Sequence, residues 1–185
     1  MRKSTNFLGK KITVMGLGLL GRGVNDAKFL AGCGAELIVT DLKPKEELKE
    51  SLELLKDYKN IIYTLGGHRL EDFKNRDMII KSAGVPLDSI YITEARKNKI
   101  PIEMSTSLFA QLTPATIVGI TGTRGKSTVT HLLYEILKVA FPQKQIFLGG
   151  NVKGIATLPL LEKAKKGDIA VLELDSWQLQ GFSEA

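Results

Sequence analysis

The chain has 185 residues, 43% of them hydrophobic and 25% charged, with 26 Lys+Arg against 20 Asp+Glu for a formal net charge of +6. Those proportions exclude a disordered, collagen-like or coiled-coil chain and call for a packed core of one domain or one and a fraction. The single cysteine, Cys33, rules out an internal disulfide and suits a reducing, cytoplasmic setting.

Met1 to Asn6 carries Arg2 and Lys3 with no apolar run behind them, so no secretory signal is expected. No run of about 18 apolar residues suggests a membrane span. Basic and acidic residues alternate, as in Lys43, Lys45, Glu46, Glu47, Lys49 and Glu50. The positive excess therefore reads as solvated surface with a mild bias toward small anions, and no nucleic-acid or membrane partner is expected.

Lys11 to Met15 is a short apolar run closed by glycines, the signature of a buried parallel strand. A helix over Leu20 to Leu30, stopped by Gly32 and Gly34, leads to a second strand over Ala35 to Asp41, completing a βαβ unit. Pro44 with Leu48, Leu52 and Leu55 predicts a surface helix. Strands follow at Ile61 to Thr64 and Asp77 to Lys81, then the turn Ser82 to Pro86, a helix over Leu87 to Lys97 and a short strand at Ile100 to Ile102. This alternation specifies a doubly wound α/β domain over residues 1–110.

The pattern restarts near Gln111 to Thr113: a strand over Ala115 to Ile120, a glycine-rich turn, a helix from Lys126 to Val139, strands at Gln145 to Leu148 and Asp168 to Leu174, and a helix between them over Ala156 to Lys166. Residues 111–185 thus read as the first part of a second, phosphate-loop α/β unit, with a new element starting at Leu174 to Leu179.

Gly16-Leu17-Gly18-Leu19-Leu20-Gly21 sits between strand and helix, with Asp41 twenty residues beyond Gly21. Glycines at that spacing let the backbone turn sharply and approach a diphosphate, while the helix start offers N–H groups to it. The same residues could form a tight turn with no ligand. Any nucleotide diphosphate satisfies the chemistry, with Asp41 on a ribose or a base.

Thr121-Gly122-Thr123-Arg124-Gly125-Lys126-Ser127-Thr128 also lies between strand and helix. Its amides form an anion nest, Lys126 is placed to reach terminal phosphates and the Ser127 hydroxyl can bind Mg²⁺. A strict phosphate loop has glycine where this chain has Ile120, so the loop is a variant. Gly149-Gly150-Asn151 and Glu173 fall at strand ends on the same sheet edge, where Glu173 could hold Mg²⁺ directly or through water. Taken singly they are also ordinary turn residues. His68 and His131 have no second ligand at metal spacing, Trp177 and Phe182 read as core or interface, and Cys33 as a small residue at a helix end.

Gly16 to Gly18, the Thr121 to Thr128 loop, Gly149 to Asn151 and Leu172 to Leu179, in that order, resemble the Mur ligases of peptidoglycan synthesis, most closely the members that add D-glutamate to UDP-N-acetylmuramoyl-L-alanine. Members for L-alanine and for the third residue more often end the loop Gly-Lys-Thr-Thr. The resemblance implies an ATP-dependent amide ligase in which the substrate carboxylate attacks the γ-phosphate and D-glutamate displaces the resulting acyl phosphate, giving ADP and phosphate. It implies Gly18, Leu19, Leu20, Asp41, Leu42 and Gly84, with Asn151, on the UDP substrate. It implies Gly122, Thr123, Arg124, Gly125, Lys126, Ser127 and Thr128 on ATP, Ser127 and Glu173 on Mg²⁺, and Lys126 and Glu173 as the catalytic pair.

Three positions depart from the family's pattern: Arg124 where Asn is usual, Asp175 where Ser is usual, and Leu42 where a hydroxyl is common. The acceptor specificity rests on these, another Mur-type ligase or a non-catalytic nucleotide-binding module being the alternatives. A monomer is expected, and a chain of this length is expected to hold the phosphate-binding machinery without turning over substrate.

Overall fold

The computed structural model describes residues 6–18 and 21–182. The chain divides into two compact units, Met1–Ser105 and Thr106–Ala185.

The first unit is a parallel sheet with strand order β3-β2-β1-β4-β5. Its strands are β1 (Lys11–Met15), β2 (Glu36–Asp41), β3 (Ile61–Leu65), β4 (Met78–Lys81) and β5 (Ile102–Glu103), and its helices are α1 (Arg22–Gly32), α2 (Lys49–Glu53) and α3 (Ile90–Lys97). All four pairings are parallel, with Met15 opposite Thr40 on one side and Lys81 on the other. That register brings the ends of β1, β2 and β4 to one edge, where chain order reverses and ligands bind in such sheets.

Alternation along β1 sends Ile12 and Val14 to one face and Thr13 and Met15 to the other, all of them buried. Met15 and Ile79 pack with Phe73, Ile92, Ala95 and Ile100. Each of these side chains except that of Ala95 contributes about 1.5–3 kcal/mol on leaving water.

Helix α2 is shorter than the leucine spacing predicts. Residues 44–48 form successive tight turns, Glu47 N–H to the Pro44 carbonyl and Leu48 N–H to Lys45, and Leu48 and Leu55 are buried from either side of one helical turn. The leucines reach the core without a continuous helix.

The second unit begins in α4 (Ser105–Leu112), a helix that the sequence pattern did not announce. Three parallel strands, β6 (Thr116–Ile120), β7 (Ile146–Gly150) and β8 (Ile169–Glu173), take the order β6-β8-β7, followed by α6 (Ser176–Leu179). Every residue of the central strand β8 is buried.

Helix α5 (Lys126–Ala140) lays Leu133, Tyr134 and Leu137 against Ile146, Ile169 and Val171. A second apolar stripe, Val129, Leu132, Ile136 and Val139, faces outward, with Val139 82% exposed. The helix expected over 156–166 is only a single 3₁₀ turn, Leu158–Glu162. The Asp168 carboxylate accepts from Lys165 N–H at 2.8 Å and Gln145 N–H at 3.2 Å, which turns the chain into β8 instead. Among the described residues no helix is long and apolar enough to cross a membrane.

Candidate functional site

In the first unit the site is built around the turn that leaves β1. The Asp41 carboxylate, at the end of β2, accepts from Leu17 N–H at 2.8 Å, Gly18 N–H at 3.0 Å and Lys43 N–H at 2.9 Å. A carboxylate has about four acceptor positions, so three are committed to the protein and one is left for a ligand hydroxyl or N–H. Asp41 therefore shapes the glycine turn first, a role that the sequence motif did not disclose. Gly18 is brought to Asp41 by this bond, whereas Leu19 and Leu20 lie outside the described residues. Leu42, next in the chain, is 70% exposed and offers apolar surface at the same strand end.

The turn after β4 closes the other side. Ser82 donates to the Met15 carbonyl through both its N–H, at 3.0 Å, and its hydroxyl, at 2.8 Å. Gly84, two residues on, is exposed with open space where a side chain would stand. Ser82 was not singled out from the sequence; its partner is 67 residues away, beyond any local pattern.

Beside Asp41, the loop after β3 borders a cavity of about 420 Å³ lined by residues 63–69. His68 Nδ1 is 2.6 Å from the Thr40 hydroxyl, and its ring meets Tyr91 edge-on at 5.0 Å between centroids. Burial pushes the imidazole below its ordinary pKa, opposed by the Asp41 and Asp72 carboxylates.

In the second unit the Thr121 to Thr128 loop runs directly from β6 into α5, with Gly125 as the left-handed N-cap. Lys126 folds over the loop and donates from Nζ to the Gly122 carbonyl at 2.8 Å. Gly122, Thr123, Arg124, Ser127 and Thr128 are all exposed. The loop is thus open to solvent, with its one lysine held across it.

Glu173 ends β8 in register with Ile120 of β6 and Gly150 of β7, which sets the phosphate loop, the Glu173 carboxylate and Asn151 on one sheet edge. Glu173 is 5% exposed. Its carboxylate and the exposed Ser127 hydroxyl each offer oxygen of the hard kind that Mg²⁺ takes.

The Gly149-Gly150-Asn151 segment is fixed by close approach. A Cβ on Gly150 would stand 2.1 Å from the Glu173 carbonyl oxygen, and Asn151 N–H donates to that carbonyl at 2.7 Å. Thr157 contributes a contact that the sequence concealed, accepting from Gly150 N–H at 2.8 Å.

Asp175 is committed to a helix start. It caps α6, accepting from Gln178 N–H at 2.7 Å, while Gln178 Oε1 accepts from Asp175 N–H at 3.4 Å. Gln178 in turn donates to the Thr106 hydroxyl at 3.2 Å. His131 is bound locally, with Nδ1 2.8 Å from the Ser127 carbonyl.

Residues 10–103 match the family model for the Mur ligase MurD-like N-terminal domain, and residues 120–184 match the Mur ligase middle domain. The chain belongs to the Mur ligase family. Among similar curated proteins, the UDP-N-acetylmuramoylalanine–D-glutamate ligase of Borreliella burgdorferi (strain ZS7) is 42% identical over 97% of this chain and 38% of its own length. The enzyme of that name from Treponema pallidum (strain Nichols) is 42% identical over 92% of this chain and 32% of its own. The chain therefore spans about two-fifths or less of the length of these curated relatives. Among solved structures, UDP-N-acetylmuramate:L-alanyl-gamma-D-glutamyl-meso-diaminopimelate ligase from Neisseria meningitides shares the fold at a TM-score of 0.53 and 19% identity, over 89% of this chain and 52% of that one.

Proposed function

We infer that this chain is the UDP-substrate-binding domain (1–110) and the phosphate-loop part (111–185) of an ATP-dependent Mur ligase that adds D-glutamate to UDP-N-acetylmuramoyl-L-alanine in the cytoplasm. The observation that carries this reading is the shared edge of β6 and β8, where the open phosphate loop leaves Ile120 in register with Glu173.

On this reading the loop amides and Lys126 bind the ATP phosphates, and Lys126 exchanges its bond to the Gly122 carbonyl for a phosphate oxygen. Ser127 and Glu173 hold Mg²⁺, which when bound neutralises charge on the transferring phosphoryl group. The glycine turn with Gly18, Asp41 and Leu42, together with Gly84, receives the UDP-sugar, and Asn151 belongs to the same substrate set. The 42% identity to ligases named for D-glutamate supports that acceptor over those of other family members.

Calorimetry on the chain tests this directly. Mg·ATP and UDP-N-acetylmuramoyl-L-alanine should each bind, and Lys126→Ala should weaken ATP by about 10–100-fold, the worth of one charge-assisted hydrogen bond, with unfolding unchanged. Binding of NAD with no affinity for the UDP-sugar would replace this reading with a dinucleotide-sensing one. The chain alone should form no amide bond.

A further inference from the structure

Lys81 ends β4 as a lysine only 3% exposed, and among the described residues no carboxylate forms an ion pair with it. Nζ donates to the Val85 carbonyl at 3.0 Å and stands 3.5 Å from the Ser82 carbonyl. Burial lowers its pKa, and the Arg96 charge lowers it further. A buried ammonium without a counter-charge opposes folding, and a methionine of similar length would fill the space without that penalty. Stability therefore does not account for a lysine here.

What the ammonium does is close a turn. Val85 N–H donates to the Ser82 carbonyl at 3.1 Å, and Lys81 binds the carbonyls at both ends of the same four residues. Ser82 is tied to Met15, the last residue before the glycine turn, and Gly84 stands exposed at the top.

We propose that Lys81 is a positioning residue whose buried ammonium holds the Ser82–Val85 turn in the shape that receives the nucleoside-diphosphate substrate of the first unit. The proposal rests on the reading of that unit as the UDP-sugar site. Lys81 touches no substrate itself; it acts through the turn carrying Gly84.

The test compares wild type, Lys81→Met and Lys81→Arg in the full chain by three readings: hydrogen exchange at the Val85 amide, thermal midpoint, and affinities for UDP-N-acetylmuramoyl-L-alanine and Mg·ATP. Lys81→Met should speed Val85 exchange and weaken the UDP-sugar by about tenfold each, leave ATP affinity within about twofold, and leave the midpoint unchanged or higher. Lys81→Arg, which keeps charge and donors, should recover part of the loss. Unchanged Val85 exchange overturns the proposal, whatever the ligand does. Faster exchange with unchanged UDP-sugar affinity overturns its link to substrate. If the wild type binds no UDP-sugar, the functional reading fails, while the exchange result still decides whether Lys81 holds the turn. Should Lys81→Met not fold, Lys81→Gln carries the same readings, because its shorter neutral amide leaves Val85 out of reach.

Discussion

Ser82 occupies the space that a side chain on Gly16 would need: a Cβ there would stand 2.0 Å from the Ser82 hydroxyl, which is bonded to the Met15 carbonyl at 2.8 Å. Gly16 also has φ +96, outside the range that other residues adopt without strain. Gly16→Ala should therefore destabilise the protein by about 2–4 kcal/mol, from backbone strain plus the displaced, partly buried Ser82 hydrogen bond. Denaturant unfolding measures this. Gly16→Ala with Ser82→Ala should recover only the steric part, since the backbone strain stays, and a fully recovered double variant would contradict the strain argument.

Glu173 makes a separate claim on nucleotide binding. Its carboxylate stands at the end of β8 on the same sheet edge as the phosphate loop, where it can offer oxygen to a bound Mg²⁺. Glu173→Gln, of nearly the same shape, should leave stability nearly unchanged while abolishing most of the gain in ATP affinity that Mg²⁺ provides. Titrations of ATP with and without Mg²⁺ on both proteins decide this, and a magnesium effect of equal size in the variant would remove Glu173 from the metal site.

Much of this was legible because the signals were local. The apolar runs of β1 and β8 and the strand–glycine–helix order at Gly16 and Gly125 are contained in a few neighbouring residues. What stayed hidden depends on partners distant in sequence. The motif reads Asp41 as a ligand contact and gives no sign that two of its three hydrogen bonds go back to Leu17 and Gly18, 24 and 23 residues earlier. Thr157 and Ser82 hold loops from outside any motif. The helix expected over 156–166 failed for a similar reason, since the Asp168 carboxylate captures Lys165 N–H at the point where a helix would have continued.

The departure at Asp175 has a simple test. As the N-cap of α6, with a reciprocal bond from Gln178, it performs a task that serine does equally well. Asp175→Ser should be neutral within about 0.5 kcal/mol, and Asp175→Ala should cost about 1 kcal/mol. ATP and Mg²⁺ affinity should be the same in all three. A marked drop in Mg²⁺ affinity in Asp175→Ser would mean that the carboxylate serves the metal rather than the helix.

His68 gives the first unit a pH dependence whose sign follows from its packing. The folded protein holds the imidazole below its ordinary value of 6.5, burial outweighing the pull of Asp41 and Asp72 in the other direction. The unfolded chain therefore binds the proton more readily, so stability contributed by the neutral ring is complete above pH 6.5 and is lost as pH falls from there through the lower folded value. Wild type and His68→Gln compared by denaturant unfolding at high and low pH should differ most above that window, and the difference should shrink as the solution is acidified. A difference that grew on acidification would mean that the two carboxylates govern the ring. In that case protonated His68, beside the end of β2, would strengthen the site instead of loosening it, with its Nδ1–H donating a hydrogen bond to the Thr40 hydroxyl 2.6 Å away.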